Sequence, residues 1–101
     1  MALVAIGSET IFVDDTVGGV KFTESKITEK VIRAVCVVEA AQIRIQVSGE
    51  TITAEGSEGS PVRNKGDSFV VIGHPDLLAF RAIRTGDISG KVQVIYEGEG
   101  G

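Results

Sequence analysis

The sequence predicts an all-β fold, a small antiparallel β-sandwich or jelly-roll-like barrel of about seven to eight short strands. Three observations carry that expectation. The apolar residues are drawn largely from valine and isoleucine, with no Trp, one Tyr and one Met, and β-branched side chains favour pleated sheet over helix. Two stretches alternate with a period of two: Gln42, Arg44 and Gln46 against Ile43, Ile45 and Val47, and Val92, Val94 and Tyr96 along one side of Lys91 to Tyr96. Thirteen glycines and only two prolines supply tight turns.

Taken in order, Leu3 to Ile6 and Glu9 to Val13 are candidate strands broken by Gly7 and Ser8. Asp14 to Gly19 is a loop leading into a short strand at Val20 to Phe22, and the polar stretch Thr23 to Glu29 reads as a loop too short for a stable helix. Val31 to Ala40 is apolar on both faces apart from Arg33 and Glu39, the pattern of a central, doubly covered strand. Gln42 to Ser48 is a half-buried strand. It opens into a turn-rich connection holding Gly49, Gly56, Gly59, Pro61, Asn64 and Gly66, with room for a short strand at Thr51 to Thr53.

Ser68 to Ile72 reads as a further strand apolar on both faces, ended by Gly73, His74 and Pro75. Leu77 to Arg84 and Lys91 to Glu97 follow as strands around a loop with Gly86, Asp87, Ser89 and Gly90, which predicts a hairpin from Leu78 to Tyr96. No segment is long and periodic enough to predict a helix. The length of 101 residues fits one domain, residues 1–101, with residues 1–13 as an extended N-terminal contact arm and residues 98–101 as a flexible tail.

Composition narrows the function classes. A formal charge of −4 argues against a protein that grips phosphate backbones. From Ser60 to Lys91, five cations (Arg63, Lys65, Arg81, Arg84, Lys91) face three acids (Asp67, Asp76, Asp87), but few aromatics are present to stack on bases. No apolar run is long enough to cross a bilayer as a helix, and Met1 to Ile6 lacks the basic start and long apolar run of a signal peptide. Cys36 is the only cysteine, so it forms no internal disulfide and reads as a packed thiol.

Catalytic constellations are weak. The single histidine, His74, precedes Pro75 in a turn, and GSEGS has the wrong spacing for a nucleophile elbow. Asp14 and Asp15 lack the alternating acids of a calcium loop. One cysteine and one histidine do not make a tetrahedral zinc site, and no phosphate-binding glycine motif occurs. The expectation is a non-enzyme with no cofactor and no metal. In FRAIR, Phe80 to Arg84, strict alternation sets Arg81 and Arg84 on opposite faces, so either an arginine is buried beside a carboxylate (Glu39, Asp67 or Asp87 for Arg84) or a bulge resets the register.

The order VVEAAQIRIQVSGETITAEGSEG, then GDSFVVIG, then LLAFRAIRTGDISGKVQVIYEG resembles the small β-rich structural and accessory proteins, capsid-decoration-like, of tailed bacteriophage and prophage. The matching positions are Ala41 to Arg44, Gly49 to Gly59, Gly66 to Ser68, Phe80 to Gly86 and Val94 to Glu97, over about the last two thirds of the chain. The pattern's aromatic after the Ile-Arg pair is Ile45 here, and its proline-bearing turn becomes Ser48 to Thr53 without proline.

The resemblance implies a non-enzymatic virion protein, a decoration or cement protein that binds between major capsid subunits and stabilises the particle. Made in the host cytoplasm, it would sit on the capsid surface, with the major capsid protein or other virion subunits as partners, as a homo-oligomer, a trimer among the options, without membrane or direct nucleic-acid contact. Many weak copies then give strong collective attachment. The candidate protein-contact residues are Leu3, Val4, Ile6, Ile11 and Phe12 from the N-terminal arm, Glu50, Thr51, Arg63 and Lys65 from the glycine-rich connection, and Arg81 and Arg84. The alternative is a carbohydrate-binding or host-adhesion module of a phage head or tail, which would need exposed aromatics as a platform.

Overall fold

Valine- and isoleucine-rich alternation yields two antiparallel sheets, as the all-β expectation requires. The structure is a computed structural model that describes residues 3–47, 52 and 61–99. The strands are β1 (Leu3–Val13), β2 (Val31–Ala40), β3 (Ile43–Gln46), β4 (Val62–Arg63), β5 (Ser68–Ile72), β6 (Arg81–Arg84) and β7 (Gly90–Glu99). One short helix, α1 (His74–Ala79), lies between β5 and β6, and a 3-10 turn spans Glu24–Lys26. One sheet runs β1-β7-β2-β5 and the other β4-β3-β6.

The core lies between the sheets. Val31, Ala34, Cys36 and Val38 of β2, Val92, Val94 and Tyr96 of β7, and Phe69 and Val71 of β5 face inward from the larger sheet. Ile43, Ile45 and Ala82 meet them from the smaller. Phe22 stacks on Phe80 at 4.1 Å between centroids and meets Tyr96 edge-on at 5.7 Å. Phe69 lies 6.0 Å from Phe80 on the other side. Four of the five aromatics thus form one interior ladder, each ring burying a large apolar area.

Several expectations are corrected. β1 is one strand, because a bulge between Ala5 and Gly7 absorbs the extra residue Ile6 where the sequence suggested a break. Val20 to Phe22 is not a strand but makes a single bridge, Val20 to Ala82. His74–Ala79 is helical, where the sequence suggested a turn at His74 and Pro75 and a strand from Leu77, since Pro75 fits a first helical turn and Asp76, Leu77, Leu78 and Ala79 continue it. The helix is too short to show a period, and Leu77 alone is fully buried in it.

The hairpin from Leu78 to Tyr96 does not form. β6 pairs with β3, while β7 lies between β1 and β2 in the other sheet. Ala82 of β6 and Val92, Val94 and Tyr96 of β7 all have to enter the core, and opposite sheets let them do so facing one another. β2 and β5 are covered on one face only: Val37 is 42% exposed, Val70 49% and Ile72 62%. Gly98 and Glu99, read as tail, are paired in β7 opposite Val4 and Leu3.

A candidate interaction surface

The surface is built on the larger sheet, whose two inner strands are β7 and β2. Antiparallel register sets directly opposed residues on the same face. Ala34 opposes Tyr96 and Cys36 opposes Val94, all buried, so the alternate pairs Arg33 with Glu97, Val35 with Ile95 and Val37 with Gln93 form the outer face. β5 extends it with Ile72 beside Arg33 and Val70 beside Val35. β1 adds Ser8 beside Ile95 and Thr10 beside Gln93.

The polar groups on this face are paired laterally. Arg33 Nε lies 2.5 Å from Glu97 Oε1, and Lys91 Nζ lies 3.3 Å from Glu39 Oε2. Gln93 Nε2 donates to Glu39 Oε2 at 3.2 Å, and Thr10 Oγ1 donates to Gln93 Oε1 at 2.6 Å. The bond from Gln93 leads the influences that hold the Glu39 carboxyl below its usual range, with Lys91 adding to it. Between the two ion pairs sits an apolar centre, with Ile95 44% exposed beside half-buried Val35.

At one edge of this sheet, β1 pairs with β7 alone. Its only charged side chain, Glu9, accepts the Tyr96 hydroxyl, the Thr23 amide at 3.0 Å and the Thr23 hydroxyl at 2.6 Å. No charge is therefore left to guard the outer edge of β1 along its described length. Among the expected contact residues here, Val4, Ile6 and Phe12 are exposed and Leu3 is half-buried. Ile11 is corrected: it opposes Val92 and is buried in the core, because the bulge at Ile6 leaves odd-numbered Ile11 on the inner face.

Both arginines are half-buried, and the ion pair expected for Arg84 forms with a different carboxylate. Arg84 Nη2 lies 3.3 Å from Asp15 Oδ2 and Nη1 lies 3.3 Å from Ser89 Oγ, so its partner is Asp15 and none of the three acids considered from sequence. Asp15 is 69 positions away and only the closure of the fold brings it near. Arg81 donates to the Phe80 carbonyl at 3.0 Å. Ala82 and Ile83 between them are both buried, so the four-residue strand holds its arginines half-buried at its ends.

Arg63 lines a cleft of about 220 Å3 between β3, Pro61 and β5. Arg63 stacks 5.9 Å from the Phe69 ring centroid, while Lys65 is exposed in the turn before β5. Glu50 and Thr51 lie outside the described residues, as does Thr53; of the short strand expected at Thr51 to Thr53 only Ile52 is described, and it is fully buried. Phe12 is the one exposed aromatic of the chain, the other four being buried.

Chemistry-bearing groups are scattered. Cys36 is fully buried, and burial pushes its thiol up from 9.0 to about 12, which keeps it protonated and out of reach. Among the described residues no three or more His, Cys, Asp or Glu side chains cluster to hold a metal ion. No helix among them is long and apolar enough to cross a membrane. Compared with known proteins, the chain matches no family model, no curated sequence and no solved structure.

Proposed function

We propose that this chain is a non-catalytic structural protein of a tailed-phage particle, a capsid accessory protein that joins neighbouring coat subunits by adding β1 to a subunit's sheet. The phage assignment rests on the resemblance of the segments from Ala41 to Glu97. The mode of attachment rests on one observation, the open edge of the eleven-residue strand β1.

Natural edge strands are normally shortened, charged or covered, because their free backbone groups pair with any extended chain. β1 is long, and its one charge is turned inward to Tyr96 and Thr23. Val4 and Ile6 project at its far end, both more than two-fifths exposed. Strand addition there would gain backbone hydrogen bonds along the edge and specificity from these side chains. The arrangement of the aromatics favours this over glycan binding, since Phe12 alone offers a ring to solvent.

The test is co-sedimentation of the purified protein with particles that lack it, using wild type and the Val4→Lys, Ile6→Lys double variant. Both positions are exposed, so the variant is expected to keep the wild-type melting temperature and lose the particle. A wild-type chain that fails to bind, or a variant that binds as wild type does, overturns the reading.

A further inference from the structure

We propose that the outer face of the four-stranded sheet is the interface of a face-to-face homodimer, with a two-fold axis running parallel to the strands between β2 and β7. The proposal concerns a different surface from the β1 edge and does not depend on the assignment of a particle.

The composition of the face is the starting point. An antiparallel sheet whose other face is a core ordinarily presents polar side chains to water. Here the outer face is β-branched and apolar: Val35, Val37 and Ile95 on the two inner strands and Val70 and Ile72 on the adjoining β5, four of them more than two-fifths exposed. An ion pair stands on either side of the apolar centre along the inner strands, Arg33–Glu97 at one end and Lys91–Glu39 at the other. An apolar centre with a hydrogen-bonded polar rim is the anatomy of a protein interface.

Charge identifies the occupant. Around the four corners of the inner strand pair the order is Arg33 on β2, Glu97 on β7, Lys91 on β7 and Glu39 on β2, so the sign alternates at every step. Turning a copy over about an axis along the strands exchanges β2 with β7 while keeping each row in place. Arg33 then meets Glu97 of the second copy, and Lys91 meets its Glu39. Every charge falls on its opposite, which is the self-complementarity that an isologous two-fold contact requires.

The apolar centre selects the direction of the axis. With the axis along the strands, Val35 lies over Ile95 of the second copy and Ile95 over its Val35. An axis across the strands also inverts the charges, and each axis sets one apolar residue over Gln93, which already bonds Thr10 and Glu39: the smaller Val37 with the axis along the strands, the larger Ile95 with the axis across them. Sheets pack face to face about 10 Å apart at a modest angle, a spacing that valine and isoleucine side chains from two faces fill. The operation leaves the β1 edges of both copies free.

The experiment uses the full chain in analytical ultracentrifugation and native mass spectrometry. Wild type is expected to dimerise reversibly, and Val35→Lys, which sets an unpaired charge at the centre, to raise the dissociation constant roughly thirtyfold or more while keeping a cooperative melt. The decisive variant exchanges one pair, Arg33→Glu with Glu97→Arg. It restores complementarity with itself across the strand-parallel axis but opposes like charges when mixed with wild type.

It should therefore form its own dimer and, mixed equally with wild type, give well under the roughly one-half share of mixed dimers that indifferent association produces. A wild-type chain that stays monomeric at millimolar concentration, as it would if the face served another protein, overturns the proposal. So do a trimer, a Val35→Lys dimer of wild-type strength, a swapped variant that folds but fails to dimerise, or mixed dimers in the indifferent proportion.

Discussion

The Tyr96 hydroxyl donates its hydrogen bond to the Glu9 carboxylate, joining residues 87 positions apart, and the same carboxylate accepts both the amide and the hydroxyl of Thr23. One carboxylate thereby ties β7, β1 and the segment leading to the 3-10 turn. Tyr96 is fully buried, with Phe22 against its ring edge. A hydrogen bond to a charged acceptor contributes about 1.5–3 kcal/mol, and an abandoned buried donor costs a similar amount.

Tyr96→Phe is accordingly expected to lose about 1–3 kcal/mol of unfolding free energy in urea, and Glu9→Ala to lose at least as much because it strands the Tyr96 hydroxyl as well as Thr23. The two losses should not add in the double variant, since both remove one bond. Strict additivity would show that the residues do not act as a pair.

Much of this framework is legible in the sequence, and the limits follow from range. The period of two at Lys91 to Tyr96 marks a strand because burial on one face is a local pattern, and at Ile43 to Gln46 it marks one even though Gln46, on the face expected to be wet, is 1% exposed. The length of β2 is legible as well, from a run apolar on both faces apart from Arg33 and Glu39. What is lost is whatever depends on distant residues: the bulge at Ile6, the exposure of Val70 and Ile72, and the Asp15 partner of Arg84. Apolar residues on both faces of β2 and β5 predict two covering layers, whereas the described residues supply only one. The surplus apolar face is what the proposed dimer would cover.

Phe12 and Phe80 are indistinguishable by residue type, and the structure divides them. Phe80 is fully buried between Phe22 and Phe69, while Phe12 is 63% exposed on the outer face of β1. Phe80→Ala should cost about 3–5 kcal/mol, the range for emptying an aromatic site in a core, whereas Phe12→Ala should stay within about 0.5 kcal/mol of wild type. Chemical denaturation of the two variants checks this, and comparable losses would contradict the placement of the rings.

Gly98 is a close-approach position. A methyl group there would sit 2.1 Å from the Lys30 carbonyl oxygen and 2.7 Å from the Ile6 Cδ1. The nearer obstacle is backbone, so the strand has to move, and overpacking of this kind typically costs about 1–3 kcal/mol. Gly86, with nothing within 4 Å of its added methyl, is the control. Gly98→Ala is expected to lower the melting temperature markedly and Gly86→Ala to leave it nearly unchanged; equal effects would rule out the contact with Lys30.

Alkaline pH should destabilise the fold through two buried groups. Burial raises the Cys36 thiol from 9.0 to about 12, and burial first, then the bond to Glu9 and the charge of Glu9, raises the Tyr96 phenol above its ordinary 10.0. Both folded-state values lie above the unfolded ones, so the folded chain holds protons that the unfolded chain releases. The associated stability is complete below about pH 9 and is lost as pH rises through the folded values, at up to about 1.4 kcal/mol per unit for each group. Cys36 begins to contribute near pH 9 and Tyr96 near pH 10. Urea midpoints followed from about pH 7 to 11 should therefore fall more steeply in wild type than in Cys36→Ala above about pH 9, and than in Tyr96→Phe only above about pH 10. Each variant starts from a lower baseline, so the comparison is of slopes; a wild-type profile flat to pH 11, or identical slopes in all three chains, would show that neither proton is held by the fold.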